Sequence, residues 1–128
     1  MKVLLTSVMV QDQEKALRFY TGVLGFVKTK DVSMGEYRWL TVAGSDDPGG
    51  VEILLEPVAF PPARTYQQEL FKAGIPAAVF HVRDIEKEYQ RLTEAGVAFS
   101  VKPTPAGPTK RAVFNDTCGN NIQILQIV

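Results

Sequence analysis

The sequence predicts an α+β chain of two βαβββ modules, their curled mixed sheets enclosing a cavity and their helices lying on the outer faces. Three observations predict it. Segments of strand and helix character run in the order strand, helix, three strands, and then repeat that order. Each long helix starts at an aspartate and stops at a glycine, Asp12 to Gly25 and Asp84 to Gly96. The letters also repeat: Val10, Asp12, Glu14, Lys15 and Thr21 return as Val82, Asp84, Glu86, Lys87 and Thr93, at a constant offset (84 − 12 = 72).

Val3 to Val10 is apolar and rich in β-branched residues, which predicts the first strand. Asp12 then caps a helix whose Ala16, Phe19, Tyr20, Val23 and Leu24 recur at helical spacing on one face. Three strands follow, over 26–31, 36–43 and 51–57, the last two separated by the turn formers Ser45-Asp46-Asp47-Pro48-Gly49-Gly50. Pro61 and Pro62 interrupt the chain, and Thr65 with Gln68 reads as a capping box for a short helix ending before Gly74. The second module has strands over 76–82, 97–102, 110–115 and 121–127, with a helix from Asp84 to Gly96. Pro103 to Pro108, with three prolines and a glycine, is predicted to be a loop. Val51-Glu52-Ile53-Leu54 matches Ile122-Gln123-Ile124-Leu125, so the closing strands belong to the repeat. The organisation read from this is one domain, with module one at 1–57, a linker with its short helix at 58–74, and module two at 75–128.

Composition narrows the function. A chain of 128 residues is long enough to bury a core. Lys+Arg and Asp+Glu number 14 each, so no net field recruits nucleic acid or an anionic membrane surface. No apolar run approaches the roughly 20 residues of a membrane span, and the apolar start is too short for a signal peptide. The single cysteine, Cys118, excludes an intrachain disulfide and fits a reducing, cytoplasmic setting; with no partner it reads as a turn residue.

Strand parity sorts the side chains. If Val51, Ile53 and Leu55 pack on the helix, then Glu52, Leu54 and Glu56 face the cavity. By the same rule the concave faces present Leu5, Ser7 and Met9, Trp39, Val79 and His81, and Gln123 and Leu125. Arg111 shares parity with Val113 and is expected opposite Glu52 or Glu56. This is an apolar wall with a few convergent polar groups, the composition of a small-molecule pocket. Each residue also has a plain structural reading: a solvated strand face for Glu52 and Glu56, an exposed strand end for His81, core packing for Trp39 and an edge position for Arg111. A Glu52 buried without a metal is expected to have a raised pKa unless Arg111 or another donor compensates. That would make it, with His81, the catalytic candidate.

The stretch Val10-Gln11-Asp12-Gln13-Glu14-Lys15-Ala16-Leu17-Arg18-Phe19-Tyr20-Thr21-Gly22-Val23-Leu24-Gly25-Phe26 is similar to the opening of the vicinal-oxygen-chelate superfamily, the glyoxalase, bleomycin-resistance and extradiol-dioxygenase group. Asn115-Asp116-Thr117-Cys118-Gly119-Asn120-Asn121-Ile122-Gln123-Ile124 resembles its closing stretch, so the resemblance covers essentially the whole chain. In the metal-dependent members, one ligand lies seven residues before each helix-capping aspartate. Those positions here are Leu5 (12 − 7) and Ala77 (84 − 7), neither of which coordinates a metal. The other two positions fall on Glu52 and Gln123, and two donors of four do not make a site. The resemblance therefore implies a branch with no metal or other cofactor, holding a small organic molecule as the bleomycin-resistance proteins do. The alternatives are a glyoxalase- or isomerase-type enzyme using Glu52 or His81, with or without a divalent ion, and a structural or regulatory dimer without ligand chemistry.

Family members commonly pair, and the resemblance implies a homodimer here. Light scattering at micromolar concentration is expected to give twice the 14.1 kDa chain mass; a monomer mass alone would refute it.

Overall fold

The computed structural model describes residues 1–128, and they form an α+β chain with two four-stranded mixed sheets and three helices. The chain divides into two compact units, Met1–Arg64 and Thr65–Val128. The first contains β1 (Leu5–Val10), α1 (Gln13–Leu17), β2 (Val27–Met34), β3 (Tyr37–Ala43) and β4 (Glu52–Pro57) in sheet order β1-β4-β3-β2. The second contains β5 (Ala78–His81), α3 (Ile85–Glu94), β6 (Phe99–Ala106), β7 (Thr109–Asn115) and β8 (Asn121–Ile127) in the order β5-β8-β7-β6. Helix α2 (Pro61–Lys72) runs across the boundary. No helix is long and apolar enough to cross a membrane.

Both aspartate caps form, whereas Thr65, expected to open a capping box, lies inside α2. Asp12 accepts from the Lys15 amide at 3.0 Å, and Asp84 accepts from the Lys87 amide at 3.1 Å. Gly25 and Gly96 both end their helices at φ 89°, a conformation that costs a residue with a Cβ. In the first unit the core lies between α1 and one face of the sheet, where Val8, Val10, Ala16, Tyr20, Leu40, Val42 and Leu55 are buried. In the second, Ile85, Leu92, Ala112, Phe114 and Ile122 are buried, and Tyr89, Phe99 and Phe114 stack edge-to-face at centroid distances of 4.8 and 5.6 Å.

Four local expectations are corrected. The first helix is α-helical only to Leu17 and continues as a π-helix over Arg18–Val23. There the Thr21 hydroxyl takes the Leu17 carbonyl at 2.6 Å, competing with the backbone for that acceptor, and the Leu24 amide bonds back five residues to Phe19. Pro61 and Pro62 open α2 rather than breaking the chain, because a first helical turn needs neither missing N–H and favours the fixed φ. Strand β2 runs on to Met34, where the chain reverses at Gly35 with φ 64°. Strand β6 carries Pro103 and Pro105 within it, which an edge strand tolerates because one side of its ladder is unpaired, and the turn tightens to Gly107-Pro108.

The register reveals a slip that letter matching hides. Val8 lies beside Leu55 and Phe80 beside Ile124, so the first strands are offset by 72 (80 − 8) but their partners by 69 (124 − 55). The letters suggest 71 (122 − 51). The difference is two residues, one full pleat, so the faces are unchanged.

The loop before β8 is held from inside. Asp116, fully buried, accepts from the amides of Cys118 (2.8 Å) and Asn120 (3.0 Å) and from the Asn120 side chain (2.8 Å). Gln67 of α2 donates to the Cys118 carbonyl at 3.3 Å and to the Asn120 side chain at 3.2 Å. A Cβ at Gly119, where φ is 101°, would sit 2.8 Å from the Gln67 amide. Gly119→Ala is expected to cost about 2 kcal/mol through strain and displacement of Gln67, lowering Tm by roughly 8 °C. Gly49→Ala, whose Cβ meets open space, serves as the neutral control in the same melts.

Candidate functional site

Parallel pairing determines which side chains share a face. In β1 and β4 the partners are Leu5 with Glu52, Ser7 with Leu54 and Met9 with Glu56, while Thr41 of β3 lies beside Leu54. Trp39 shares the Thr41 face and is paired with Val32 of β2. Since Val8 and Leu55 lie on the α1 side, all of these residues line the face turned away from α1. In the second unit Val79 pairs with Gln123, His81 with Leu125 and Arg111 with Leu125, on the face opposite buried Ala112, Phe114 and Ile122. Leu5, Met9, Glu52, Glu56, Arg111, Gln123 and Leu125 are half-buried there, whereas Ser7, Val79 and His81 are exposed. Trp39 is 36% exposed. Ala77 lies next to Asn121, bonding its carbonyl at 2.8 Å, so Gln123 has Val79 as its strand neighbour instead.

Glu52 is the most constrained of these groups. Its Oε1 accepts from the Lys30 ammonium at 2.6 Å, with the carboxylate side chain 12% exposed and the lysine side chain 54% exposed. The Thr29 and fully buried Thr41 hydroxyls, 2.7 Å apart, complete the cluster. A bulge in β2 between Lys28 and Lys30 lets consecutive residues serve it: Thr29 reaches Thr41 through its side chain, and Lys30 pairs with Thr41 in the ladder. The Lys30 hydrogen bond holds the Glu52 carboxyl below its ordinary pKa, outweighing partial burial, with Thr29, the Lys30 charge and Thr41 adding to the effect. The sequence-based condition is therefore met by a donor other than Arg111, and no raised carboxylate results. Arg111 instead approaches Gln123, its Nη1 donating to Oε1 over a long 3.4 Å.

A second polar network lies on the α1 side of the same hairpin. Arg38 grips Asp31 with two bonds of 2.9 and 2.6 Å and reaches Glu14 of α1 at 3.0 Å. Those hydrogen bonds hold the Asp31 carboxyl below its usual range and raise the Arg38 guanidinium. Gln13 completes the network. Its amide donates to the Arg38 carbonyl (2.7 Å) and the Leu55 carbonyl (3.0 Å), and accepts from the Arg38 amide (3.0 Å). The β3–β4 ladder spans only Thr41↔Leu54 and Val42↔Ile53, and Gln13 bridges the strands where they part. Sequence reasoning missed Gln13, Thr29, Lys30, Arg38 and Thr41; only the alternation of β3 gave a hint, by putting Thr41 on the Trp39 face.

No group of three or more His, Cys, Asp or Glu side chains is positioned to hold a metal ion. The family-type donor set does not fit one either. Leu5 and Ala77 have no donor, and the oxygens of Glu52 and Gln123 are turned to the cationic groups of Lys30 and Arg111.

Over residues 2–124 the chain matches the sequence model of the Glyoxalase/Bleomycin resistance protein/Dioxygenase superfamily. It is 54% identical over 126 residues to the uncharacterized protein YurT of Bacillus subtilis (strain 168), covering 98% of this chain and 99% of that one. Among solved structures, UcmS2 is similar at TM-score 0.85 and 33% identity, over 98% of this chain and 97% of its own. TnmS3, an antibiotic binding protein from Streptomyces sp. CB03234, is similar at TM-score 0.80 and 30% identity, over 100% and 97%.

The lowered Glu52 pKa has a consequence for acid stability. Ionised Glu52 is favoured in the folded chain, so its contribution is fully present above the unfolded carboxylate pKa of about 4.3 and is lost as pH falls through the lower folded value. Asp31 acts in the same direction. Urea unfolding between pH 6 and pH 3 is expected to show a smaller loss of stability for Glu52→Gln than for the wild type. Equal losses would contradict the Lys30–Glu52 assignment.

Proposed function

The chain belongs to the glyoxalase/bleomycin resistance protein/dioxygenase superfamily, and from that premise we propose that it is a metal-free small-molecule-binding protein that captures an apolar, antibiotic-like compound. The observation that carries this reading is the chemistry of the face turned away from α1. Exposed Val32, Tyr37 and Trp39 share this face with Glu52, whose carboxylate is already paired with the protein's own Lys30. An apolar wall with few polar groups suits capture of an organic molecule. Similarity to TnmS3, an antibiotic binding protein, supports the same class of ligand. In this reading Leu5, Ser7, Met9, Trp39 and Glu56 are the contact residues on the first unit's face, Val79, Arg111, Gln123 and Leu125 are those on the second unit's own face, and the protein acts as a cytoplasmic homodimer.

Binding is favoured over catalysis by the state of Glu52. A general base works best with a pKa near the operating pH, and Glu52 is shifted the other way by Lys30. His81, exposed at the end of β5, stays available for ligand hydrogen bonding.

The test is a thermal-shift screen of aromatic and polyketide antibiotics, followed by elemental analysis of the purified protein. Binding at a hundredfold excess over Kd is expected to add about 2.7 kcal/mol, a rise of several degrees. Trp39→Ala should abolish the shift, and Cys118→Ser should leave it unchanged. Conversion of a bound compound to product, or a shift that requires a stoichiometric divalent ion, would overturn the proposal.

A further inference from the structure

The polar cluster on the first sheet contains one group that its neighbours do not saturate. Glu52 receives Lys30 at 2.6 Å and is further stabilised by Thr29 and Thr41, so its oxygens already serve donors within the protein. An ammonium has three N–H bonds, and Lys30 turns one to Glu52 while its side chain remains 54% exposed. Glu52 thus fixes the position of the cation, and the cation presents the remaining donors outward.

An apolar strip lies along the strands on the side of Lys30 away from Glu52. Lys30 is followed on the same face of β2 by Val32, paired with Trp39, and then by Met34, paired with Tyr37. All four of these residues are exposed large hydrophobics. Alternate residues along a strand are roughly 7 Å apart, so the strip from Lys30 to Met34 extends about 13 Å, the length of a two- or three-ring body. A ring system lying along that strip, with an acceptor oxygen reaching back over Thr41, meets apolar contact along its length and a fixed N–H donor beyond its Lys30 end. A cationic ligand in that orientation would place its charge against an ammonium.

Resting on the binding function proposed above, we infer that Lys30 is the ligand-contacting and specificity-determining residue of this site. It selects flat apolar compounds that carry a carbonyl or acidic oxygen and no positive charge. Glu52 is a positioning residue that acts through Lys30.

The chain has a single tryptophan, so the Trp39 indole N–H gives one resonance with which to follow binding in an amide–nitrogen correlation spectrum. Three probes of one ring system separate the chemistry: 1-naphthoate, 1-acetonaphthone and 1-naphthylmethylamine. The carboxylate and the ketone are expected to shift the Trp39 signal, with the amine at least tenfold weaker. Comparing the first two tells whether the favoured oxygen is anionic or neutral. Lys30→Gln should weaken 1-naphthoate at least tenfold and Lys30→Arg should restore it to within about threefold. Lys28→Gln, which removes a nearby surface charge paired with Asp31, should change nothing. Glu52→Gln should weaken 1-naphthoate less than Lys30→Gln does, and the weakening should appear at neutral pH in a protein whose spectrum is otherwise native. Undiminished binding of 1-naphthoate by Lys30→Gln, or tighter binding of the amine than of the carboxylate, overturns the role of Lys30 while leaving the binding function intact. If neither the probes nor the antibiotic panel binds, both fall.

Discussion

In each unit the first and last strands lie side by side and run the same way, with a helix between them in the chain. The helix itself joins the first strand to the second, which runs parallel to it at the opposite edge of the sheet, so it must cross one face and cover it. That crossing divides the residues of the unit into two populations. Val8, Val10, Leu40, Val42 and Leu55 are enclosed with α1, and Leu5, Met9, Trp39, Glu52 and Glu56 are left on the far side. The near side is committed to holding the fold, which leaves the far side as the face whose polar groups are not used to dock the helix.

The charges of the β2–β3 hairpin follow the same division. Asp31 and Arg38 join Glu14 on the α1 side, where their hydrogen bonds tie helix to sheet. Lys30 and Glu52 meet on the other side, beside Thr29 and Thr41. The two pairs differ in kind. A bidentate guanidinium with a third contact to a helix is a structural clamp, whereas an ammonium on a single carboxylate leaves donors to spare.

The fold was legible because it rests on short-range rules. Asp12 and Asp84 announce helix starts, Gly25 and Gly96 announce their ends, and the period of two assigns Glu52 and Val79 to faces without any knowledge of partners. The site was less legible because its contacts depend on register. Nothing in the order of letters tells that a bulge before Lys30 brings that side chain to Glu52, 22 positions away. The slip of one pleat in β8 is invisible for a related reason: Val51-Glu52-Ile53-Leu54 and Ile122-Gln123-Ile124-Leu125 alternate alike in either register. The prolines misled in two directions, since Pro61 was compatible with a helix start and Pro103 with an edge strand, and only the tertiary setting decides between those and a loop.

At one point of the first sheet Gln13 stands in for the backbone. Where β3 and β4 separate, its primary amide presents one oxygen and one nitrogen to Arg38 as a peptide group of a neighbouring strand would, and extends a further bond to Leu55. A peptide group is the same at every position, but a glutamine can be exchanged for another side chain in a single mutational step. The join between the two strands at this point is made by a side chain and not by the backbone ladder. Part of the cohesion of the first sheet thus rests on the identity of one helical residue, which ties α1 to β3 and β4 at once.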